Sequence, residues 1–478
     1  MRAAIWWIRR DLRLTDNQAL TAAMQAAEDV IPLFILDPYL WNADHVGEKR
    51  LAFLSNGLLE LDRSLRQRGS RLFLHHGKPE QVLQAVLDET GAEAVFAEED
   101  YSPYARRRDE RVASQLSLNL LPGLTVHHPL EIRKSGGGAY TVYTPFMRAW
   151  KARPLPKIAH VLPAPDQITT RLSFNSNADT SHLRPQVQIP FEAGEHIAQQ
   201  KLRSFVDGDD PLVYRYRLLR NRPDLQGTSG LSPYLRFGML SARQVVVSAI
   251  ASILETPDAE SEQSANIWLD ELIWREFYQS ILYHFPSVLH HSFREKYRNL
   301  KWSNAVRDFA AWKQGQTGYP LVDAGMRQLQ ETGWIHNRVR MVVASFLTKN
   351  LLIDWRWGEK WFMQNLVDGD PASNNGGWQW TAGTGTDAAP YFRIFNPVTQ
   401  SQKFDPEGVF IRRWVPELRE VPPDYIHEPW KMPLPLQRKI GCILGVKYPR
   451  PIVEIAWSRQ RALDVFGQVK HQAVVQGA

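Results

Sequence analysis

AAIWWIRRDLRL, residues 3–14, sets the terms for the rest of the chain. Its apolar run ends after six residues, at Arg9 and Arg10. That is too short for the apolar region of a secretory signal or for a membrane span, so it reads as a buried first strand. An alternation follows. DNQALTAAMQAA (16–27) has the helical period, with Asp16 placed as its N-cap. VIPLFILD (30–37) is a second apolar run, and LAFLSNGLLELDRSLRQRG (51–69) is a long helix closed at Gly69. RLFLHHG (71–77), a helix through 80–90, and AEAVFAEED (92–100) repeat the pattern. Buried strands separated by helices predict a parallel sheet with helices on both faces over residues 1–130. No G-x-G-x-x-G follows the first strand, which argues against a standard dinucleotide site there.

Residues 131–200 change character. SGGGAYTVYTPF, PLPKIAHVLPAPD and a Ser/Asn/Thr stretch predict a linker with little regular structure. From 201 to 478 the pattern is helical, ending in a short, mixed stretch without a long polar tail. A length of 478 residues suggests two to four domains. With 44% hydrophobic and 23% charged residues and no run of 18 apolar residues, the expectation is a soluble, cytoplasmic protein. The 17 Trp, 15 Tyr and 20 Phe can be core, and they also suit stacking surfaces or bound rings. A net charge of +6 is compatible with a polyanionic partner. The single cysteine, Cys442, excludes an internal disulfide and a cysteine-based zinc site.

Four stretches carry candidate chemistry. In ANIWLDELIWREFYQSILYHF (265–285), Trp268, Glu271, Trp274, Arg275 and Tyr278 share one helix face. Such a face is a core stripe with a salt bridge, or a ring-binding surface with one desolvated carboxyl. In GWIHNRVRMVVASFLTKNLLIDW (333–355), Trp334, Asn337, Arg338 and Met341 form a stripe. An asparagine inside a helix is a poor helix former but a good reader of base edges; it is otherwise a solvated side chain. His336 beside it reads as structural, and no second histidine stands at metal spacing. YRYRLLRNRPDLQGTSGLSPYLRFG (214–238) joins five arginines to a turn. There Thr228, Ser229 and Ser232, with backbone around Gly227 and Gly230, either cap a helix or cradle a phosphate. VDGDPASNNGGWQW (367–380) sets Asp368 and Asp370 on a tight turn, as caps, ion-pair partners or ligands. The two glycines of NNGGWQW suggest backbone that bends. Together these ingredients suit a large ring cofactor with a diphosphate, beside a cavity for a second aromatic ligand and a phosphate backbone.

The blocks WLDELIWREFY, TGYPLVDAGMRQL, TGWIHNRVRM, NNGGWQW and FRIFNPVTQSQKFD, in this order and spacing, resemble the DNA photolyase/cryptochrome family. The closest resemblance is to the class I cyclobutane pyrimidine dimer photolyases, over nearly the whole chain. The resemblance implies three parts: an α/β Rossmann-like antenna domain (1–130), a wrapping linker (131–200) and an all-α FAD-binding catalytic domain (201–478). It implies that Tyr216, Thr228, Ser229, Gly230, Leu231, Ser232, Trp268, Arg275, Asp368, Gly369, Asp370 and Asn374 line the FAD site. Asn374 would contact flavin N5, and Arg340 would pair with Asp368. Trp378, Trp355 and Trp302 would carry electrons inward when oxidised flavin is photoreduced.

By the same resemblance, Trp380, Trp274 and Met341 would pack on a flipped-out dimer, and Glu271 and Asn337 would bond its base edges. Arg220, Arg338 and Gln400 would hold the DNA. The implied reaction is light-driven: excited reduced FAD gives an electron to the dimer, the cyclobutane ring splits and the electron returns. The implied partner is DNA containing cyclobutane pyrimidine dimers, bound by a monomer that needs no membrane or obligate protein partner. A cryptochrome photoreceptor and a (6-4) photolyase are the alternatives; Asn374, the intact dimer-binding set and the missing tail disfavour them. LFILDP and EEDYSPYARRRD resemble relatives whose antenna is 8-hydroxy-5-deazaflavin, with Asp37, Arg50, Asp100 and Arg236 as contacts. Methenyltetrahydrofolate or FMN are the other antenna candidates. No metal is expected.

Overall fold

The computed structural model describes residues 1–171, 174, 176–179, 183 and 187–476, with side chains as far as 469. The remaining residues of the expected linker lie outside this range. The chain divides into two compact units. The first comprises Met1–Arg217, Thr228–Pro286 and Val367–Ala372; the second comprises Leu218–Gly227, Ser287–Leu366 and Ser373–Ala478.

In the first unit the expected parallel sheet is present. Strands β1 (Ala3–Ile8), β2 (Asp29–Leu36), β3 (Phe73–His76), β4 (Ala94–Glu98) and β5 (Leu118–Leu121) pair in the order β3-β2-β1-β4-β5, all parallel. Every residue of β1 and β2 is buried, so both faces of the sheet are covered. Pro32 is tolerated in β2 because pairing with β3 begins only at Leu33. Strand β5 escaped the sequence reading: LNLL is a short edge strand with its middle residues exposed, and it lacks the long apolar run of the central strands. Two further expectations need correction. The helix Gln18–Ala26 is capped by Asn17, whose side chain accepts the Leu20 N–H; Asp16 instead takes a positive φ of 55° and bonds Ser241 and Arg243. The predicted linker contains a helix, Tyr143–Lys151, whose Tyr143, Phe146 and Trp150 are buried.

The order β3-β2-β1-β4-β5 puts a topological switch point between β1 and β4, where doubly wound folds open a crevice at the carboxyl ends of the strands. Here that place is rich in charge. Arg9 and Arg10 follow β1, and Asp100 follows β4. Arg9 pairs with Asp109 at 2.7 Å, and Arg13 with Glu98 at 2.6 Å.

The second unit is helical around one apolar cluster that includes Trp312, Phe362, Trp355 and Trp378. The stretch 333–355 is not one helix. Gly333 is left-handed, the helix Asn337–Ser345 begins at Asn337, a π-helical turn follows (Phe346–Asn350), and Trp355 opens the next helix, Trp355–Asn365. Asn337 is therefore an exposed first-turn residue rather than a mid-helix one. NNGGWQW does not bend either; it lies within the helix Pro371–Ala382. Its amides explain why the glycines are tolerated. Asn375 and Gln379, one turn apart, both donate to the Val288 carbonyl, and Gln379 accepts from the Phe293 N–H. The C-terminal stretch forms one long helix, Ile455–Gln476.

Candidate flavin and DNA site

The helix Ala259–His284 runs through the first unit and sorts its residues by face. Trp268 is buried, its ring 5.0 Å from Phe205, which also meets Tyr216 at 6.0 Å. Glu271 and Trp274 are half-buried one turn further on. Trp274 stacks flat on Tyr143, with ring centroids 3.7 Å apart and planes 6° from parallel. Tyr143 was missed in the sequence because it lies in the stretch read as linker. On another face of this helix, Glu276 accepts from Trp150 Nε1 and the Val126 N–H, both at 2.6 Å, which ties down the Tyr143–Lys151 helix.

Eight expected cofactor contacts and four expected antenna contacts are arranged less simply. Thr228, Ser229 and Gly230 are half-buried, Leu231 is buried and Ser232 is exposed at the start of the short helix Ser232–Phe237. No side chain among the described residues caps that helix. Gly230 has a φ of 62°, and a Cβ there would meet nothing within 4 Å. Asp370 is already engaged: Oδ2 accepts from Arg10 at 2.7 Å, and Oδ1 accepts from Gln279 and the Ala372 N–H. Asp370 thus serves as a cap and an ion-pair partner. Asp368 is buried beside it. A Cβ on Gly369 would fall 2.0 Å from Arg50 Nη2, so that guanidinium would have to shift, and the Gly369 carbonyl accepts from Arg236 Nε at 2.7 Å. Asp100, Arg50 and Arg236 therefore sit with Asp370, whereas Asp37 caps a separate turn and accepts from the Tyr104 hydroxyl.

The cluster is densely charged. Arg10, Arg50, Arg236 and Arg275 share it with the carboxylates of Asp100 and Asp370, with Glu276 acting on Arg275 and Asp368 buried next to Gly369. Burial works against ionisation of Asp100, yet Arg10, the Ser102 N–H, Arg108 and Arg236 hold its pKa below the ordinary value. Burial, reinforced by Arg10 and Arg50, pushes Arg236 down to about 9, and its Nη1 is buried without an acceptor among the described residues. Burial also lowers Arg275, whose Nη1 donates to the Leu124 carbonyl at 2.9 Å. The group here that an anion would satisfy is Arg236 Nη1, which is buried and lacks an acceptor among the described residues. Arg10 and Gln279 were not singled out in the sequence. The signal for Arg10 was its place just after the first strand of a parallel sheet.

In the second unit, Asn374 is nearly buried, and its amide nitrogen donates to the Glu359 carbonyl (3.1 Å) and to Glu359 Oε1 (2.9 Å). Its oxygen is thereby set as the acceptor. Trp378 and Trp380 are two residues apart on a helix, about 200° around the axis. Trp378 is buried against Phe362 (5.0 Å) and Trp312 (6.1 Å), while Trp380 is half-buried with Arg393 6.0 Å from its ring. Trp355 shares the Trp378 cluster, and Trp302 packs on it. Arg340 Nε donates to the Ile335 carbonyl. Arg338 donates twice to Asn221 Oδ1, at 3.0 and 2.8 Å, and lies 4.6 Å from the Phe404 ring. Met341, Arg220 and Gln400 are half-buried. His336 caps the helix that starts at Asn337: its Nδ1 accepts the Arg338 N–H. Among the described residues no group of three or more His, Cys, Asp or Glu is placed to hold a metal, and no helix is long and apolar enough to cross a membrane.

A doubly wound parallel sheet and a helical region rich in aromatic side chains define a two-part α/β and helical protein. Comparison narrows this class. Residues 4–166 match the sequence model of DNA photolyase, and residues 268–468 match that of the FAD binding domain of DNA photolyase. The chain is 41% identical to the deoxyribodipyrimidine photo-lyase of Synechococcus sp., over 98% of this chain and 96% of that one. It superimposes on a bacterial class III photolyase from Agrobacterium tumefaciens with a TM-score of 0.91 and 37% identity, covering 98% of each chain. It superimposes on a Synechocystis cryptochrome with a TM-score of 0.88 and 30% identity, covering 97% of this chain and 99% of that one. The chain belongs to the DNA photolyase family and carries its FAD-binding domain.

Proposed function

We infer that this protein is a light-dependent DNA-repair enzyme that splits cyclobutane pyrimidine dimers. The observation that carries this is the shared face of the helix Ala259–His284, where half-buried Glu271 and Trp274 stand one turn apart in a chain similar throughout to deoxyribodipyrimidine photo-lyases. Bound FAD in its reduced form supplies the photoexcited electron. Tyr216, Thr228, Ser229, Ser232, Trp268, Arg275, Asp368 and Asp370 would line its pocket, with the Arg275 guanidinium available to the diphosphate. The Asn374 carbonyl oxygen, set by Glu359, accepts from the N–H of the reduced ring. Trp274 offers a flat surface to the dimer, together with Trp380 and Met341. Glu271 and Asn337 bond its base edges, and the Glu271 bond strengthens as negative charge grows on the dimer. Arg220, Arg338 and Gln400 hold the strand, and Trp302, Trp355 and Trp378 serve photoreduction.

The same reading keeps 1–130, 131–200 and 201–478 as antenna, linker and catalytic regions of a cytoplasmic monomer. It keeps 8-hydroxy-5-deazaflavin as the antenna, with methenyltetrahydrofolate or FMN as substitutes. The grouping of Asp100, Arg50 and Arg236 around Gly369 supports an anionic ligand nearby.

The test is recovery of thymine absorbance from dimer-containing DNA by photoreduced protein, with and without blue light. Light-dependent recovery is expected, reduced by about tenfold or more in Glu271→Ala because one charge-stabilising contact is lost. The absence of recovery by fully reduced holoprotein would overturn the assignment.

A further inference from the structure

A second aromatic and basic constellation lies apart from every residue given a role above. In the second unit, residues of the helices Val306–Lys313 and Trp355–Asn365 line a cavity of about 510 Å³. On the first helix, Phe309 and Lys313 stand four residues apart. On the second, Trp357, Lys360 and Trp361 stand three and four apart, so each set occupies one face. Phe309, Trp357 and Trp361 pack on the apolar cluster yet stay partly exposed, so their outer surfaces form the cavity wall.

The chemistry of this wall is specific. Phe309 and Trp357 meet edge to face at 5.2 Å. Lys313 Nζ lies 5.1 Å from the Phe309 ring and 4.8 Å from the Trp361 ring. Lys360 is exposed at the rim. Arg356 adds a guanidinium, but Asp354 already holds it. Among the described residues no acidic side chain lines the cavity. The Trp361 indole N–H is buried and has no acceptor among the described residues. A core patch would leave neither an ammonium group over two rings nor an unsatisfied donor, since a buried N–H without a partner is costly.

We propose that this cavity is a second nucleotide site, which takes a free mononucleotide: an aromatic base against Trp357 and Trp361, and a phosphate against Lys313 and Lys360. The volume lies within the range of small-molecule sites, roughly 300–1,000 Å³. Stacking of a base on an aromatic side chain is tolerant of base identity, so the phosphate and the rings set the ligand class.

The experiment is calorimetric titration of FAD-loaded protein with adenosine 5′-monophosphate, adenosine, inorganic phosphate and a single-stranded thymidine oligomer. One saturable site for the monophosphate is expected, with adenosine and phosphate alone each weaker. Lys360→Glu, a change at an exposed rim residue, should weaken it by about tenfold, and Lys313→Glu with Lys360→Glu should abolish it. Dimer repair should be unchanged in Lys360→Glu. The proposal is overturned by no saturable binding at millimolar ligand, by adenosine binding as well as its monophosphate, or by full affinity in the double variant. It is also overturned if only the oligomer depends on the lysines, which would make the face a strand-binding surface.

Discussion

Tyr143 lies flat on Trp274, ring centroids 3.7 Å apart, and its hydroxyl donates to the Asp270 carbonyl at 2.8 Å. The tyrosine is thus fixed to the helix that carries Trp274 and covers one face of the indole. Only the remaining surface of Trp274 is left for a ligand. Phe277 and Tyr278, each with ring centroids 5.6 Å from Trp274, pack around it as well. Tyr143→Ala should weaken binding of dimer-containing DNA in the dark by roughly 2- to 10-fold, the range an aromatic pair supports. Tyr143→Phe keeps the stack and should stay near wild type. Equal affinities for all three proteins would show that Trp274 needs no support.

Asn374 and Glu359 form a pair whose consequence is redox. With both amide hydrogens directed at Glu359, the Asn374 oxygen can only accept. Glu359→Ala removes the Oε1 bond and leaves the amide held by the backbone carbonyl alone. The reduced cofactor should then reoxidise in darkness about fivefold faster, a loss consistent with one hydrogen bond of about 1 kcal/mol. The check is the return of oxidised-flavin absorbance in air, with FAD content measured in parallel. An unchanged rate at equal occupancy would remove Glu359 from the account.

His336 gives a pH prediction. Burial, helped by Arg340 and Arg338, lowers its pKa from 6.5 to about 4. In the unfolded chain it takes a proton near 6.5, so between pH 6.5 and 4 the unfolded state binds more protons. This contribution to stability is full above 6.5 and is lost as pH falls through that window, on the order of 3 kcal/mol in all. Protonation of Nδ1 would also remove the acceptor that caps the helix carrying Asn337 and Arg338. His336→Asn, which retains a capping oxygen, should flatten this part of the stability–pH curve in denaturant titrations. An unaltered curve would show that His336 does not govern it.

The alternation of the first hundred residues was legible because buried parallel strands must be apolar on both faces, whatever surrounds them. β5 was not legible, since an exposed edge strand carries no such signature. The blocks around Trp268, Asn337 and Asn374 marked the family, while their residue types alone left a structural and a ligand-binding reading open for each stretch. Helix breaks within 333–355 were hidden because a capping histidine and a π-helical turn leave the apolar period nearly intact.

What the sequence determined by itself is the parallel sheet, the helical second half and the cast of candidate residues, because periodicity and side-chain chemistry are local. What only the tertiary structure decided is partnership. Arg10 meets Asp370 across 360 positions, and Tyr143 meets Trp274 across more than a hundred. Asn374 is oriented by Glu359 on another helix. Such pairs are set by packing between elements, where several equally charged or equally aromatic residues could serve, and only the fold selects which of them touch.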